Sequence, residues 1–243
     1  MFRYRLVRFI MTLIQVTLCR LVVLGRENIP EAGPYLVVVN HMSTADTPLV
    51  LIAFPIIRWR FFAGEKWEDH WLFGPLMGWL GAIYIDRENV DRGAVREALA
   101  ALRAGDVFAL APEGSRSKVG HMLPAKNGAA FLAARAGVPI LPVGLSNTDN
   151  LFATARRFHR STVTMRIGRP FTLPALEQRG RSADLDAYTH LIMVRIAALV
   201  DPRHRGDYAG SPALQALLDG QDPWPFCTAP DGSLPATAGQ PAE

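Results

Sequence analysis

The sequence predicts an α/β fold: a mixed, largely parallel sheet flanked by helices, with an N-terminal membrane-associating helix. Three observations carry this. Residues 35–39 form a short run of apolar, mostly β-branched residues, the composition of a strand buried on both faces. Two further short apolar runs, at 81–86 and 106–112, end as abruptly in polar residues. Stretches of helical periodicity lie between the runs, and strands alternating with helices imply a sheet with right-handed crossovers.

The elements follow in chain order. Residues 1–26 contain Arg3, Arg5, Arg8, Arg20 and Arg26 and no acid. Leu6 to Leu24 is strongly apolar but interrupted by Arg8, Gln15 and Arg20. This pattern fits an amphipathic helix on a membrane surface. A single span with arginines snorkelling from its ends, or a core helix, stays open. Val22 to Gly25 can begin the sheet, and Pro30 to Pro34 is a turn. After the strand to Val39, Asn40 and His41 end the apolar run. Pro48 suits a first helical turn, so a helix is expected over 47–54. Arg58 to Ala63 reads as a strand whose end carries Gly64, Glu65 and Lys66. Residues 66–80 are crowded with Trp67, Trp71, Phe73 and Trp79, which fits a membrane contact, the wall of an apolar groove, or a kinked core helix.

Further on, Val95, Ala98, Leu99 and Leu102 repeat at helical spacing, and Gly105 ends that helix. Asn127 to Ala136 is a second helix, closed by Gly137 and Pro139. A strand over 138–145 follows. Thr162 to Gly168 alternates and reads as an outer strand. Asp184 caps a helix running to Val200. Beyond about residue 203 the composition shifts to Gly, Pro, Ala and Asp, with a short helix expected at Ala213 to Leu218 and disorder from about Thr228. The organisation is therefore a membrane-associating helical segment (1–26), a main α/β domain (27–202) and a Pro/Gly/Ala-rich, partly disordered tail (203–243).

Composition narrows the function. The 243 residues are 49% hydrophobic and 20% charged, with a formal net charge of +4. A pI near 9.4 and mean hydropathy of +0.12 suit anionic lipid headgroups, a nucleotide-bearing donor or an acidic carrier protein. Two cysteines, Cys19 and Cys227, make a disulfide framework improbable and suit a reducing compartment. There is no zinc-ligand spacing, P-loop, dinucleotide fingerprint or Gly-x-Ser-x-Gly elbow.

The chemistry starts at His41 and Asp46. Five helical steps turn about 500°, so the two side chains would not share one face of a regular helix. The spacing suits a strand end turning into a helix start, with His41 on the bend. A neutral imidazole there can take a proton from a hydroxyl, while the carboxylate fixes its tautomer and stabilises the imidazolium. The spacing alone is weak, since it arises by chance in about one such chain in three. A capped strand-end histidine and a helix-capping aspartate would read the same. Its place beyond the carboxyl end of a buried strand strengthens it, because α/β sheets hold ligands there. Asp86-Arg87 and Glu113-Gly114-Ser115-Arg116 end the other two apolar runs. If those three strands are parallel neighbours, a base, an acid and two arginines gather on one edge.

These residues carry a resemblance. Asn40-His41-Met42-Ser43-Thr44-Ala45-Asp46 matches the first motif of the glycerolipid acyltransferases typified by the 1-acyl-sn-glycerol-3-phosphate acyltransferase family. Gly81 to Arg87 resembles the second motif. Pro112-Glu113-Gly114-Ser115-Arg116-Ser117 resembles the third, with Ser115 where Thr is commoner, and Val138 to Val143 the fourth. The ordered set spans roughly residues 20 to 175. The resemblance implies His41 as general base with Asp46 orienting it. It also implies headgroup roles for Arg87, Glu113, Gly114 and Arg116, and for Lys66 beside the second motif. An arginine fork suits a phosphate. Glu113, as an anion, would instead align Arg116 or accept a glycerol hydroxyl. Lys126 and Lys118 are weaker candidates. The reaction implied is transfer of a fatty acyl group from acyl-CoA or acyl carrier protein to lysophosphatidic acid, without a metal or organic cofactor. Other acceptors, such as lyso-ornithine lipid, and a lipid hydrolase or thioesterase using water remain open. Membrane lipids are the expected partners and nucleic acid is not. The site is expected on the cytoplasmic side of the membrane (the inner membrane if the source is bacterial).

Overall fold

A computed structural model describes residues 2–55, 58–71, 73–85, 91–174 and 181–227. In chain order the elements are α1 (Phe2–Leu18), β1 (Cys19–Leu24), β2 (Tyr35–Val39), α2 (Asp46–Ala53), β3 (Trp59–Gly64), α3 (Phe73–Leu80), β4 (Ala82–Ile85), α4 (Arg92–Arg103), β5 (Val107–Leu110), α5 (Gly128–Ala136), β6 (Ile140–Ser146), α6 (Leu151–Ala155), β7 (Ser161–Ile167), α7 (Arg181–Ala197) and α8 (Pro212–Leu218). The strands form one seven-stranded sheet in the order β1-β7-β6-β2-β5-β3-β4. Strands β6, β2, β5, β3 and β4 run parallel. β7 is antiparallel to β6, and β1 is parallel to β7. The expected mixed, largely parallel sheet is thus the observed one.

Strand alternation splits the core into two layers. On one face Leu36, Val38, Phe108 and Ile140 pack under α4, α5, α7 and α8. On the other, Tyr35, Val37, Val107, Leu141 and Val143 pack under α1, α2, α3 and α6. β2 is central, and its first four side chains are almost wholly inaccessible, as a strand covered on both faces requires. α4 starts at Asp91, whose carboxylate accepts from Ala94 N–H at 2.9 Å. Gly144 permits a close approach between layers: a Cβ there would lie 2.6 Å from Leu199 Cβ.

Several expectations need correction. The 81–86 and 106–112 strands are not neighbours, because β3 lies between β4 and β5. The strand at 162–168 is not outermost, because β1 pairs along its other side from Cys19↔Ser161 to Leu24↔Arg166. The sheet therefore begins inside the 1–26 segment, and the helix there ends at Leu18. Asp184 stands inside the first turn of α7, not at its cap, where a carboxylate still favours the helix N-terminus. Residues 203–227 pack on the body: Ala213, Leu214 and Cys227 are buried in the layer under α7. Residues 228–243 lie outside the described residues.

α1 is apolar on its outer face as well as on its inner one. Tyr4, Val7, Met11 and Leu18 face the protein. So does Arg8, whose guanidinium donates to Leu51 O and Ile52 O at 3.0 and 2.9 Å. Leu6, Phe9, Ile10, Leu13, Ile14 and Val16 are exposed. Its 17 residues span about 26 Å. Among the described residues no helix is long and apolar enough to cross a membrane. Trp71 and Trp79 are also exposed, while Leu76, Met77 and Leu80 of α3 pack on the core.

Candidate active site

The site is built at the carboxyl ends of β2 and β5. Asn40, fully buried, continues β2 by side-chain hydrogen bonds. Its amide donates to Leu145 O at 2.9 Å and accepts from Leu145 N–H at 2.8 Å. This pins the end of β2 to β6 and leaves the chain free to turn at His41. α2 then begins at Asp46.

Asp46 turns back toward His41, and His41 Nδ1 lies 2.9 Å from its Oδ2. The same oxygen accepts the backbone N–H groups of Met42 and Ser43, each at 2.7 Å. An oxygen holding two N–H donors makes Nδ1 the protonated ring nitrogen and leaves Nε2 with a free lone pair. Asp46 is buried, while the His41 side chain keeps 18% of its surface exposed. The pair therefore has the arrangement of an oriented general base.

The turn after β5 fixes the backbone of His41. Its N–H donates to Glu113 Oε1 at 3.0 Å. Its carbonyl accepts from Ser117 N–H at 2.8 Å. Glu113 Oε2 accepts from Leu123 N–H at 3.3 Å, so this one carboxylate links the β2 end to the 121–125 loop. Residues beyond 202 hold that loop from outside. Met122 N–H donates to His204 O at 2.9 Å, and Ala125 N–H donates to the Tyr208 hydroxyl at 3.2 Å. Sequence reading gave no role to Asn40 or to this clasp.

The expected site residues separate. His41 and Asp46 meet as expected. Gly114 lies beside them in a left-handed turn (φ 69°), and a Cβ there would sit 3.1 Å from Lys126 Cδ. Gly114 thus lets the Lys126 chain pass close to the turn. Lys126, a weaker candidate in the sequence, lines the same cavity as His41. Arg116 is exposed on this turn and makes no ion pair among the described residues. Glu113 is 3% exposed and accepts a backbone N–H on each oxygen, so in this structure it braces the backbone of His41. Arg87 lies outside the described residues. So does the Lys66 side chain, although its backbone forms the turn after β3.

A cavity of about 340 Å³ opens beside His41, within the range of small-molecule sites. His41, Thr47, Gly114 and Lys126 supply its polar groups, and Val50, Leu51, Trp59, Phe61, Phe62 and Ile85 its apolar wall. None of Trp67, Trp71, Phe73 and Trp79 lines it, so these aromatics are not the wall of this groove. Among the described residues no three His, Cys, Asp or Glu side chains converge as a metal site.

Burial pushes the Glu113 carboxyl up from 4.5 to about 7. The two N–H donors oppose that rise, and the charge of Asp46 adds to it. A carboxyl raised on folding binds more protons folded than unfolded between those values, so stability falls as pH rises through that window. Melting temperature is expected to decline between about pH 4.5 and about pH 7, and Glu113→Gln is expected to flatten this decline. Thermal melts across that range check it; parallel slopes in the two proteins would show that Glu113 does not titrate there.

An oriented histidine thus stands at the edge of a largely parallel sheet and opens on an apolar cavity. An acyltransferase family model matches residues 20–146. The alpha 1-acyl-sn-glycerol-3-phosphate acyltransferase of Bos taurus is 32% identical over 200 residues, covering 79% of this chain and 69% of that one. A 1-acyl-sn-glycerol-3-phosphate acyltransferase of Borreliella burgdorferi is 29% identical over 135 residues, covering 55% and 54%. The crystal structure of the 1-acyl-sn-glycerophosphate (LPA) acyltransferase PlsC from Thermotoga maritima superposes with a TM-score of 0.60 at 29% identity, covering 69% of this chain and 68% of that one. The chain belongs to the acyltransferase family.

Proposed function

We propose that this enzyme transfers a fatty acyl group from acyl-CoA or an acyl carrier protein to the free hydroxyl of 1-acylglycerol-3-phosphate, giving phosphatidic acid. The observation that carries this is the His41–Asp46 pair at the mouth of an apolar cavity. Its relatives named for the same reaction support the acceptor. His41 Nε2 takes the hydroxyl proton as the oxygen attacks the thioester carbonyl. The tetrahedral intermediate collapses, the C–S bond breaks, and the imidazolium returns the proton to the leaving thiolate. Thiolate is a good leaving group, so no covalent enzyme intermediate, metal or organic cofactor enters the scheme. The apolar cavity wall takes acyl chain. The exposed apolar face of α1 rests on the bilayer that holds the acceptor.

Arg116 is assigned to the phosphate. Each charge-assisted hydrogen bond to a phosphate contributes roughly 1.5–3 kcal/mol. Arg116→Ala is therefore expected to lower kcat/KM for lysophosphatidic acid about tenfold or more, and Arg116→Lys to recover only part, since lysine lacks the bidentate fork. Transfer to a lysolipid without phosphate should change far less. The test measures kcat/KM on both acceptors, with labelled acyl-CoA. Equal losses on both would withdraw Arg116 from the phosphate, and poor wild-type use of lysophosphatidic acid beside good use of another lysolipid would overturn the acceptor.

A further inference from the structure

Residues 1–26 and 150–176 both lack acidic side chains, and the fold brings them together. β1 pairs with β7 from Cys19↔Ser161 onward, so the end of α1 meets the turn that precedes β7. Arg160 fastens the junction by donating to Cys19 O at 3.3 Å. This turn lies at the catalytic edge: β6, parallel to β2, ends there at Ser146, on the edge where His41 follows β2.

The turn itself is closed tightly by its backbone. Arg157 N–H donates to Thr154 O, Phe158 N–H to Ala155 O and His159 N–H to Thr154 O, at 3.0, 2.9 and 3.3 Å. Phe158 sits at φ 57°, a conformation that bulky residues avoid, and its side chain is 100% exposed. These bonds hold the left-handed backbone as a helix C-cap, but no described residue covers the Phe158 ring, which directs attention to an external partner. Phe152 is exposed beside it, and Arg156, Arg157, His159 and Arg160 are all exposed around it. The exposed apolar face of α1, from Leu6 to Val16, leads up to this cluster, and exposed Arg20 stands at its end.

The geometry points to the 152–160 segment as a second membrane contact, one that selects an anionic bilayer: Phe158 enters the headgroup boundary while Arg156, Arg157 and Arg160 meet lipid phosphates. A protein partner such as an acidic carrier would satisfy the arginines. The continuity with the exposed apolar face of α1, about 15 Å long from Leu6 to Val16, favours a planar lipid surface instead. The inference extends the proposed function, since it turns the His41 edge toward the bilayer that supplies a lipid acceptor.

The test uses the full chain, vesicles of phosphatidylcholine with and without phosphatidylglycerol, and the combined variant Arg156→Gln, Arg157→Gln, Arg160→Gln beside Phe158→Ser. Each arginine near an anionic surface contributes roughly fivefold, so the combined variant should lose on the order of a hundredfold of the preference for anionic vesicles. Its binding to neutral vesicles, carried by α1, should persist. Phe158→Ser should weaken binding to both kinds several-fold. Turnover on detergent-dispersed lysophosphatidic acid should stay at the wild-type level in both variants, which separates this surface from the active site. An inactive wild type would overturn the acyltransferase reading while leaving the vesicle result readable. An unchanged anionic preference in the combined variant overturns the second contact. So does unchanged vesicle binding with a loss confined to carrier-protein donors, which would make the segment a protein-docking site.

Discussion

His41→Ala is expected to cut acyl transfer about 10²–10⁴-fold, the span that general-base catalysis supplies. The fold should survive, because the residue's backbone is held independently of its ring. Glu113 still accepts its N–H, and Ser117 N–H still donates to its carbonyl. Asp46 also keeps two of its three donors, Met42 and Ser43. The loss should fall on kcat, with KM little changed, because the imidazole works on the proton that moves during attack. Labelled acyl-CoA with lysophosphatidic acid gives the rate, and a thermal melt gives the fold. Near-wild-type turnover in a well-folded variant would remove His41 from the mechanism.

The catalytic pair was legible because its parts are local. Strand end, bend, carboxylate and first helical turn all fall within residues 35–48, where apolar run, polar break and Pro48 follow in order. The strand–helix alternation was legible for the same reason, and most helices lie within a few residues of their expected bounds. What sequence order does not encode is spatial order across a parallel sheet, where every connection is a crossover. Hence β3 was not expected between β5 and β4. The role of Glu113 depends on the same information, since only the β2–β5 pairing brings its carboxylate to His41 N–H. A charged residue next to Arg116 in the chain invited a charge-based role, whereas burial gave it a backbone one. The 203–227 segment was hidden by its Gly- and Pro-rich composition. Its contribution comes through single contacts, such as His204 O to Met122 N–H and the Tyr208 hydroxyl to Ala125 N–H, which no periodicity announces. The apolar residues of α1 were visible, but which of them face outward depends on Arg8 being drawn inward to the end of α2.

Replacing Asp46 separates its two duties. Its Oδ2 holds the imidazole at 2.9 Å and closes the turn through two backbone N–H groups at 2.7 Å. Its Oδ1 is buried without a hydrogen-bond partner among the described residues. In Asp46→Asn the two N–H groups demand an oxygen where Oδ2 stands, so the amide NH₂ is forced into the Oδ1 position. The amide oxygen then still accepts from Nδ1–H, and the tautomer of His41 is kept. Only the charge that stabilises the imidazolium is lost. Charge-assisted hydrogen bonds are roughly twice as strong as neutral ones, so kcat should fall about tenfold to a hundredfold, less than for His41→Ala. Asp46→Ala removes the acceptor altogether. Two buried N–H groups are left unpaired, each costing about 1–3 kcal/mol, and the melting temperature should drop on the order of 10 °C. Its kcat should be as low as that of His41→Ala, because the imidazole is then neither oriented nor compensated. Parallel melts and single-turnover rates on the three variants read both duties. Wild-type kcat in Asp46→Asn would take the charge out of the mechanism, and an unshifted melt in Asp46→Ala would mean that the turn closes without its carboxylate.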